Sequence, residues 1–173
     1  IRARETKLDR LTHDVVDYLA RLRHSHGDDE ASQRLLLVAT ELEHMGDQIR
    51  RLGRREEKLR TEGLEFSKVG RAELTQTGER LLRRMRAAFT ALATGDAAMA
   101  QRVLDGRRDF EALVARMRVA HLGRLEEQLP ESRASSSHHL EVLTLLRDVD
   151  ASVTRVAGWA VEMERAAEAE PTT

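Results

Sequence analysis

Cysteine is absent from the 173-residue chain. No disulfide can staple it and no thiolate can serve as nucleophile or soft metal ligand, a composition that suits a reducing compartment. Proline is nearly absent: Pro130 and Pro171 are the two present, so almost nothing forbids long helices. Aromatic residues are 3% of the chain, too few for a β-sandwich or a doubly wound sheet, whose strands want aromatic and β-branched side chains. A net charge of one sign is missing as well. With 29 basic residues against 30 acidic ones, the chain carries no basic footprint for a nucleic acid. No apolar run approaches the roughly 18 residues of a membrane span, and no signal-peptide pattern is visible. The first residue is Ile1 rather than a methionine, which predicts a piece of something longer.

What is present is a helix-forming mixture. Alanine, leucine, glutamate and arginine dominate, and 34% of residues are charged. The predicted fold is all-α: an elongated antiparallel bundle of long amphipathic helices. A first helix is predicted from about Arg4 to Arg23, with Leu8, Leu11, Val15, Tyr18 and Leu22 alternating spacings of three and four. A second runs from about Glu30 to Arg60 on a seam of Leu35, Val38, Leu42, Met45, Ile49 and Leu52. Gly63 ends it, and Phe66 in the connector is expected to tuck into the core.

A third helix starts near Ser67 or Arg71 and ends at Thr94, burying Leu74, Leu81, Met85, Phe89 and Leu92. Gly95-Asp96 then reads as a C-terminal glycine followed by an N-capping aspartate. A fourth helix continues to about Gln128. After Pro130 and a serine run, a fifth spans about Ser137 to Glu168, with Val142, Leu146, Val149, Val153, Val156, Ala160 and Met163 in register. Such a core of leucine, valine, methionine and alanine leaves little room for a small-molecule pocket.

The usual enzyme signatures are missing: there is no phosphate-cradling glycine loop, no HExxH and no nucleophile elbow. One segment stands out, Leu35-Leu-Leu-Val-Ala-Thr-Glu-Leu-Glu-His-Met-Gly-Asp47, which places Glu43 and Asp47 one turn apart beside the apolar seam. It resembles the E-x-x-x-D helix of PhoU proteins. The chain as a whole is similar to the PhoU-type domain at the C-terminus of bacterial Na⁺/phosphate cotransporter family proteins. Gly63-Leu-Glu-Phe-Ser67, Thr94-Gly-Asp96, Ala120-His-Leu122 and Ser136-Ser-His-His-Leu-Glu-Val-Leu143 support the likeness, which extends from about Glu5 to Ala157.

The resemblance implies tandem three-helix bundles that regulate phosphate uptake and often hold metal clusters on acidic helix motifs. Carried onto this chain, it implies that Glu5, Asp9, Glu43 and Asp47 hold a divalent or transition metal ion such as iron, zinc or magnesium. The matching positions of the second repeat are Arg107, Glu111, Arg147 and Ala151. A guanidinium at a ligand position repels a cation, so no metal is expected there, and Arg107 or Arg147 should pair with Glu111 instead. The implied division is an incomplete first repeat of two helices over residues 1–63, a full second repeat over 64–169, and a tail over 170–173. The helix missing from the first repeat would precede Ile1 and lead to a membrane transporter domain in the same full-length chain. That places the domain on the cytoplasmic face of the inner membrane. Without that helix the first repeat exposes apolar surface, which should attract a partner such as a second copy.

Plainer readings stand beside these. Glu43 and Asp47 can serve arginines or water on a helix wall. His44 reads as a surface or seam residue, His138 and His139 as a capping context at a helix start, and His121 as packed against a neighbouring helix. The groups Arg50-Arg51, Arg54-Arg55 and Arg83-Arg84-Arg86 read as a salt-bridged exterior. Trp159 is core or interface. Three functional classes follow: a non-catalytic regulatory module of a sodium-dependent phosphate transporter, a carboxylate-bridged metalloenzyme, and a purely structural dimerising bundle. The metalloenzyme would need glutamate-x-x-histidine pairs on two helices, and Glu41 with His44 supplies one. Whether phosphate is a direct ligand is left open.

Overall fold

A computed structural model describes residues 30–126 and 133–169, together with Asp14, Asp17 and Tyr18, which are helical and exposed. Most of the expected first helix, with Glu5 and Asp9, lies outside the described residues. Five helices are described: α1 (Glu30–Thr61), α2 (Lys68–Thr94), α3 (Ala97–Asp105), α4 (Arg107–Glu126) and α5 (Ser136–Ala169). There is no strand among the described residues, and the all-α bundle is as the composition demands. At 1.5 Å per residue, α1 and α5 are each about 50 Å long.

The helix ends are set locally. Gly63 and Gly95 both adopt φ +67°, the left-handed conformation that ends a helix at low cost in glycine. The amides that follow, of Leu64 and Asp96, reach back five residues to the carbonyls of Leu59 and Ala91. Ser67 Oγ accepts from the Gly70 amide at the start of α2, and Asp96 caps α3 through the Met99 amide at 2.7 Å.

Helix α5 is the axis of the molecule. α2 runs parallel to it: Arg84 reaches Asp150 and Thr154, and the Ala97 amide just past α2 donates to Glu164. α4 runs back the other way, with Arg124 on Glu73 of α2 and Arg118 on Thr144 of α5. These three helices enclose the main core of Leu81, Ala88, Phe110, Val114, Leu143, Val149, Val153 and Val156, all buried. Each large apolar side chain so buried contributes roughly 1.5–3 kcal/mol.

Helix α1 lies antiparallel on the other side of α5. Its contacts climb α1 as they descend α5: Arg34 to the Glu162 carbonyl, Glu41 to Arg155, Arg55 to Glu141, Glu62 to His138. Val38, Ala39, Met45, Gln48 and Leu59 are the buried residues between these pairs. The seam thus runs through 34, 38, 41, 45, 48, 52, 55, 59 and 62, rotated slightly from the predicted one. Leu35 and Ile49, expected in it, are 42% and 44% exposed, and Leu37 stands out with them. The rotation goes with the bond of Arg34 to the Glu162 carbonyl and the ion pairs of Glu41 and Arg55, which lay these three stems along α5. Leu35, Leu37 and Ile49 are thus displaced onto the exposed flank of α1.

Two further corrections concern the main bundle. The helix expected to run unbroken from Asp96 to about Gln128 is interrupted at Gly106. Arg84 Nη1 takes the Val103 carbonyl there at 2.9 Å, and a Cβ on Gly106 would stand 2.8 Å from that same nitrogen. Arg84 itself, read as exterior, is 8% exposed. Its guanidinium holds the Asp150 carboxylate at 2.5 and 3.3 Å and lies 5.8 Å from the Phe110 ring centroid. Burial pushes the Asp150 carboxyl above its ordinary value, and the hydrogen bonds and charge of Arg84 offset this in part.

Candidate functional site: a buried histidine cluster

Three of the segments that carry the sequence resemblance meet at one end of the bundle. Gly63–Ser67 joins α1 to α2, Ala120–Leu122 lies in the last turns of α4, and Ser136–Leu143 opens α5. Capping fixes the local register. Ser67 starts α2 so that Gly70 and Glu73 face inward, and the His139 amide closes the first turn of α5 on the Ser135 carbonyl at 3.0 Å.

Two imidazoles form the centre. His121 and His139, 2% and 1% exposed, stack with centroids 4.4 Å apart and planes 6° from parallel. Phe66 meets His139 edge-on at 5.8 Å, which is how the connector phenylalanine reaches the interior. The backbone of α2 comes so close that a Cβ on Gly70 would stand 3.2 Å from His139 Nδ1 and 3.1 Å from Ser67 Oγ. His121 Nε2 and Ser136 Oγ share a 2.9 Å hydrogen bond. Below the stack, Arg124 binds Glu73 through both terminal nitrogens at 2.7 and 2.6 Å. This fork-on-carboxylate geometry is the strongest of the neutralising pairs. On the α1 side, His138 Nε2 bonds Glu62 Oε2 at 2.8 Å and so ties the end of α1 to the start of α5.

The electrostatics favour uncharged imidazoles. Burial pushes His139 down to about 4, helped by the neighbouring His121 and Arg124 charges. Burial also lowers His121, with Arg124 acting the same way and Glu73 opposing. Glu73 Oε2 lies 3.7 Å from His139 Nε2, beyond a hydrogen bond, because Arg124 already commands the carboxylate. His139 Nε2, His138 Nδ1 and Arg124 Nε are buried without a hydrogen-bond partner among the described residues. A site with this much buried polarity is sensitive to small changes in protonation or packing.

The sequence reading of His121 as packed on a neighbour agrees with the structure. His138 and His139 do stand at a helix start, as read, but both are buried, which the capping reading did not anticipate. A signal was there: the pair opens a helix whose apolar register includes position 139 through Leu143 and Leu146, one turn apart. His44 is exposed and shares a hydrogen bond with Gln48 at 2.9 Å, as a surface residue would.

The proposed metal ligands stand apart from this cluster. Glu43 is exposed on α1, and Asp47, one turn on, pairs with Arg50. Two carboxylates on one helix, one of them holding a guanidinium, do not by themselves fit a metal ion. Their implied partners Glu5 and Asp9 lie outside the described residues. Among the described residues no group of three or more His, Cys, Asp or Glu side chains is arranged to hold a metal. Of the arginines expected near Glu111, Arg107 pairs with it at 2.9 Å, while Arg147 turns to Asp148.

Comparison with known proteins shows the family: the chain belongs with the bacterial proteins named for inorganic phosphate export. The chain is 30% identical over 144 residues to the Salmonella typhimurium protein named "Putative inorganic phosphate export protein YjbB", covering 81% of this chain and 26% of that protein. The Escherichia coli and Shigella flexneri proteins of the same name are each 31% identical over 130 residues, 73% of this chain and 24% of theirs. The chain therefore spans about a quarter of the length of the curated relatives it matches. No protein-family profile and no solved structure matches it.

Proposed function

We propose that the chain is a non-catalytic regulatory module of a phosphate-transport protein. The observation that carries this reading is the similarity, over 81% of this chain, to a relative named for phosphate export. Among the described residues no helix is long and apolar enough to cross a membrane. On this reading the translocation path belongs to a membrane domain of the same full-length protein, and the bundle acts on it by contact from the cytoplasmic face. The resemblance noted in the sequence implies sodium-driven uptake, whereas the relatives are named for export. The proposal commits to phosphate transport, and flux in each direction decides between the two.

Within this reading a metal ion at Glu5, Asp9, Glu43 and Asp47 would have to displace Arg50 from Asp47. A second reading, a bundle that docks a copy of itself, is favoured by the exposed Leu35, Leu37 and Ile49 on α1. Light scattering on a Leu35→Glu/Ile49→Glu variant separates them, since a dimer built on that flank would dissociate.

The test of the main reading is made in cells carrying the full-length protein or a version lacking this domain. Labelled phosphate is followed inward and outward, with and without sodium. A changed rate or set point in the truncated protein at equal membrane abundance supports a regulatory module. Identical fluxes from the two proteins would refute it.

A further inference from the structure

Between α2 and α4 lies a groove of about 350 Å³ lined by Gln76, Arg80, Arg83, Asp109, Ala112, Leu113 and Arg116. The spacing is helical on both walls. Gln76, Arg80 and Arg83 follow one another at four and three on α2, and Asp109, Ala112 or Leu113, and Arg116 do so on α4. Neither end of the groove is open to slippage. At one end the buried Arg124–Glu73 pair joins the two helices, and at the other the Arg84 guanidinium lies by Phe110.

The groove gathers three arginines and one acid in a single concavity. Over the whole chain acid and base balance. Elsewhere Arg50, Arg55, Arg71, Arg107, Arg147 and Arg155 each hold a carboxylate, while others such as Arg51 and Arg54 on α1 do not line this groove. In the groove, Arg80, Arg83 and Arg116 make no ion pair with any described residue, and Asp109 is the one acid in the lining. Three guanidinium groups thus converge on a concave surface with a single opposing charge. Each offers a planar fork of N–H donors, the geometry that suits the oxygens of a phosphate group.

We propose that this groove is a binding site for a phosphate-bearing anion, held by Arg80 and Arg83 from α2 and Arg116 from α4. The groove's charge stands whether or not the domain serves phosphate transport, so the site extends beyond that function. The shared chemistry has two sources, free inorganic phosphate and the headgroup of an anionic phospholipid. Asp109 opposes either and sets a modest affinity.

Two arms test the site on the full 173-residue chain. In one, amide shifts are followed while inorganic phosphate is titrated at constant ionic strength, with chloride as the comparison ion. In the other, the chain is floated with phosphatidylcholine vesicles with and without phosphatidylglycerol. The Arg80→Gln/Arg83→Gln variant should weaken binding about tenfold. Asp109→Asn should strengthen it about two- to fivefold, the range expected for one exposed charge. Arg51→Gln/Arg54→Gln, an equal charge change on α1, is the control. Response to phosphate alone identifies the free anion, response to anionic vesicles alone identifies the headgroup, and either upholds the site. Failure of both probes, a loss in the control as large as in the groove variant, or no gain in Asp109→Asn would overturn it. The Asp109→Asn arm keeps the test decisive should the double variant fold poorly.

Discussion

Lowering the pH from 7.5 to 5 should weaken the fold through the histidine stack, by an amount the structure sets. His139 falls from its ordinary 6.5 to about 4 because its ring is buried against His121 and near Arg124. In the unfolded chain the same imidazole takes a proton near 6.5. Between these values the unfolded state binds more protons, so stability rises with pH there. The stabilisation is complete above about 6.5, is lost progressively as the pH falls, and has no more to lose below about 4. The full effect is roughly 3 kcal/mol, of which about 2 kcal/mol is gone by pH 5. His121 is lowered in the same direction and adds to the slope.

Urea unfolding of the wild-type chain and of His139→Gln, each at pH 7.5 and 5, isolates this contribution. Carboxylates titrate alike in both proteins and cancel in the comparison. The wild type should lose about 2 kcal/mol more than the variant. A variant whose stability falls with pH as steeply as the wild type's would refute the assignment of buried, neutral imidazoles at this end of the bundle.

Other outcomes follow from the same contacts. Arg84→Met should cost about 3–5 kcal/mol in urea unfolding, because it strands the buried Asp150, whereas Arg84→Met/Asp150→Leu should recover most of the loss. Gly70→Ala should destabilise by about 1 kcal/mol despite its better helix propensity, because its methyl presses on a ring that His121 holds in place. Gly78→Ala, with nothing within 4 Å of its new methyl, should instead stabilise by about 0.5–1 kcal/mol, and thermal melts of the two variants check the contrast. Glu62→Gln should loosen the end of α1 while leaving the main core intact, read as faster amide exchange in the last turns of α1.

Among the described residues the helices apart from the break at Gly106, the ends at Gly63 and Gly95, and the α5 register were legible in the sequence because each rests on local rules. Gly63 and Gly95 stop helices, Ser67 and Asp96 start them, and the valines at 149, 153 and 156 mark a buried stripe. Less legible was whatever depended on a partner helix. A seam with charged residues at 34, 41 and 55 looks polar until α5 supplies Arg155 for Glu41, Glu141 for Arg55 and the Glu162 carbonyl for Arg34. Arg84 looks like its exposed neighbours Arg83 and Arg86 until Asp150, 66 positions away, supplies a buried counter-charge. The break at Gly106 has the same origin, since one guanidinium fills the space a side chain would need. The histidine cluster was half visible: Phe66, His121, Ser136 and His139 lie in the segments that carry the resemblance, but their convergence requires three helices to meet. Glu43 and Asp47 were found as a motif, and the structure adds Arg50 as the rival for Asp47.

The regulatory role is tested most directly by reconstitution. The purified full-length protein and a version lacking this domain are placed in proteoliposomes loaded with labelled phosphate, and the isolated chain is then added back. Removal of the domain should change the initial flux, and the added chain should restore it towards the intact value. Flux that neither removal nor addition alters would contradict the account.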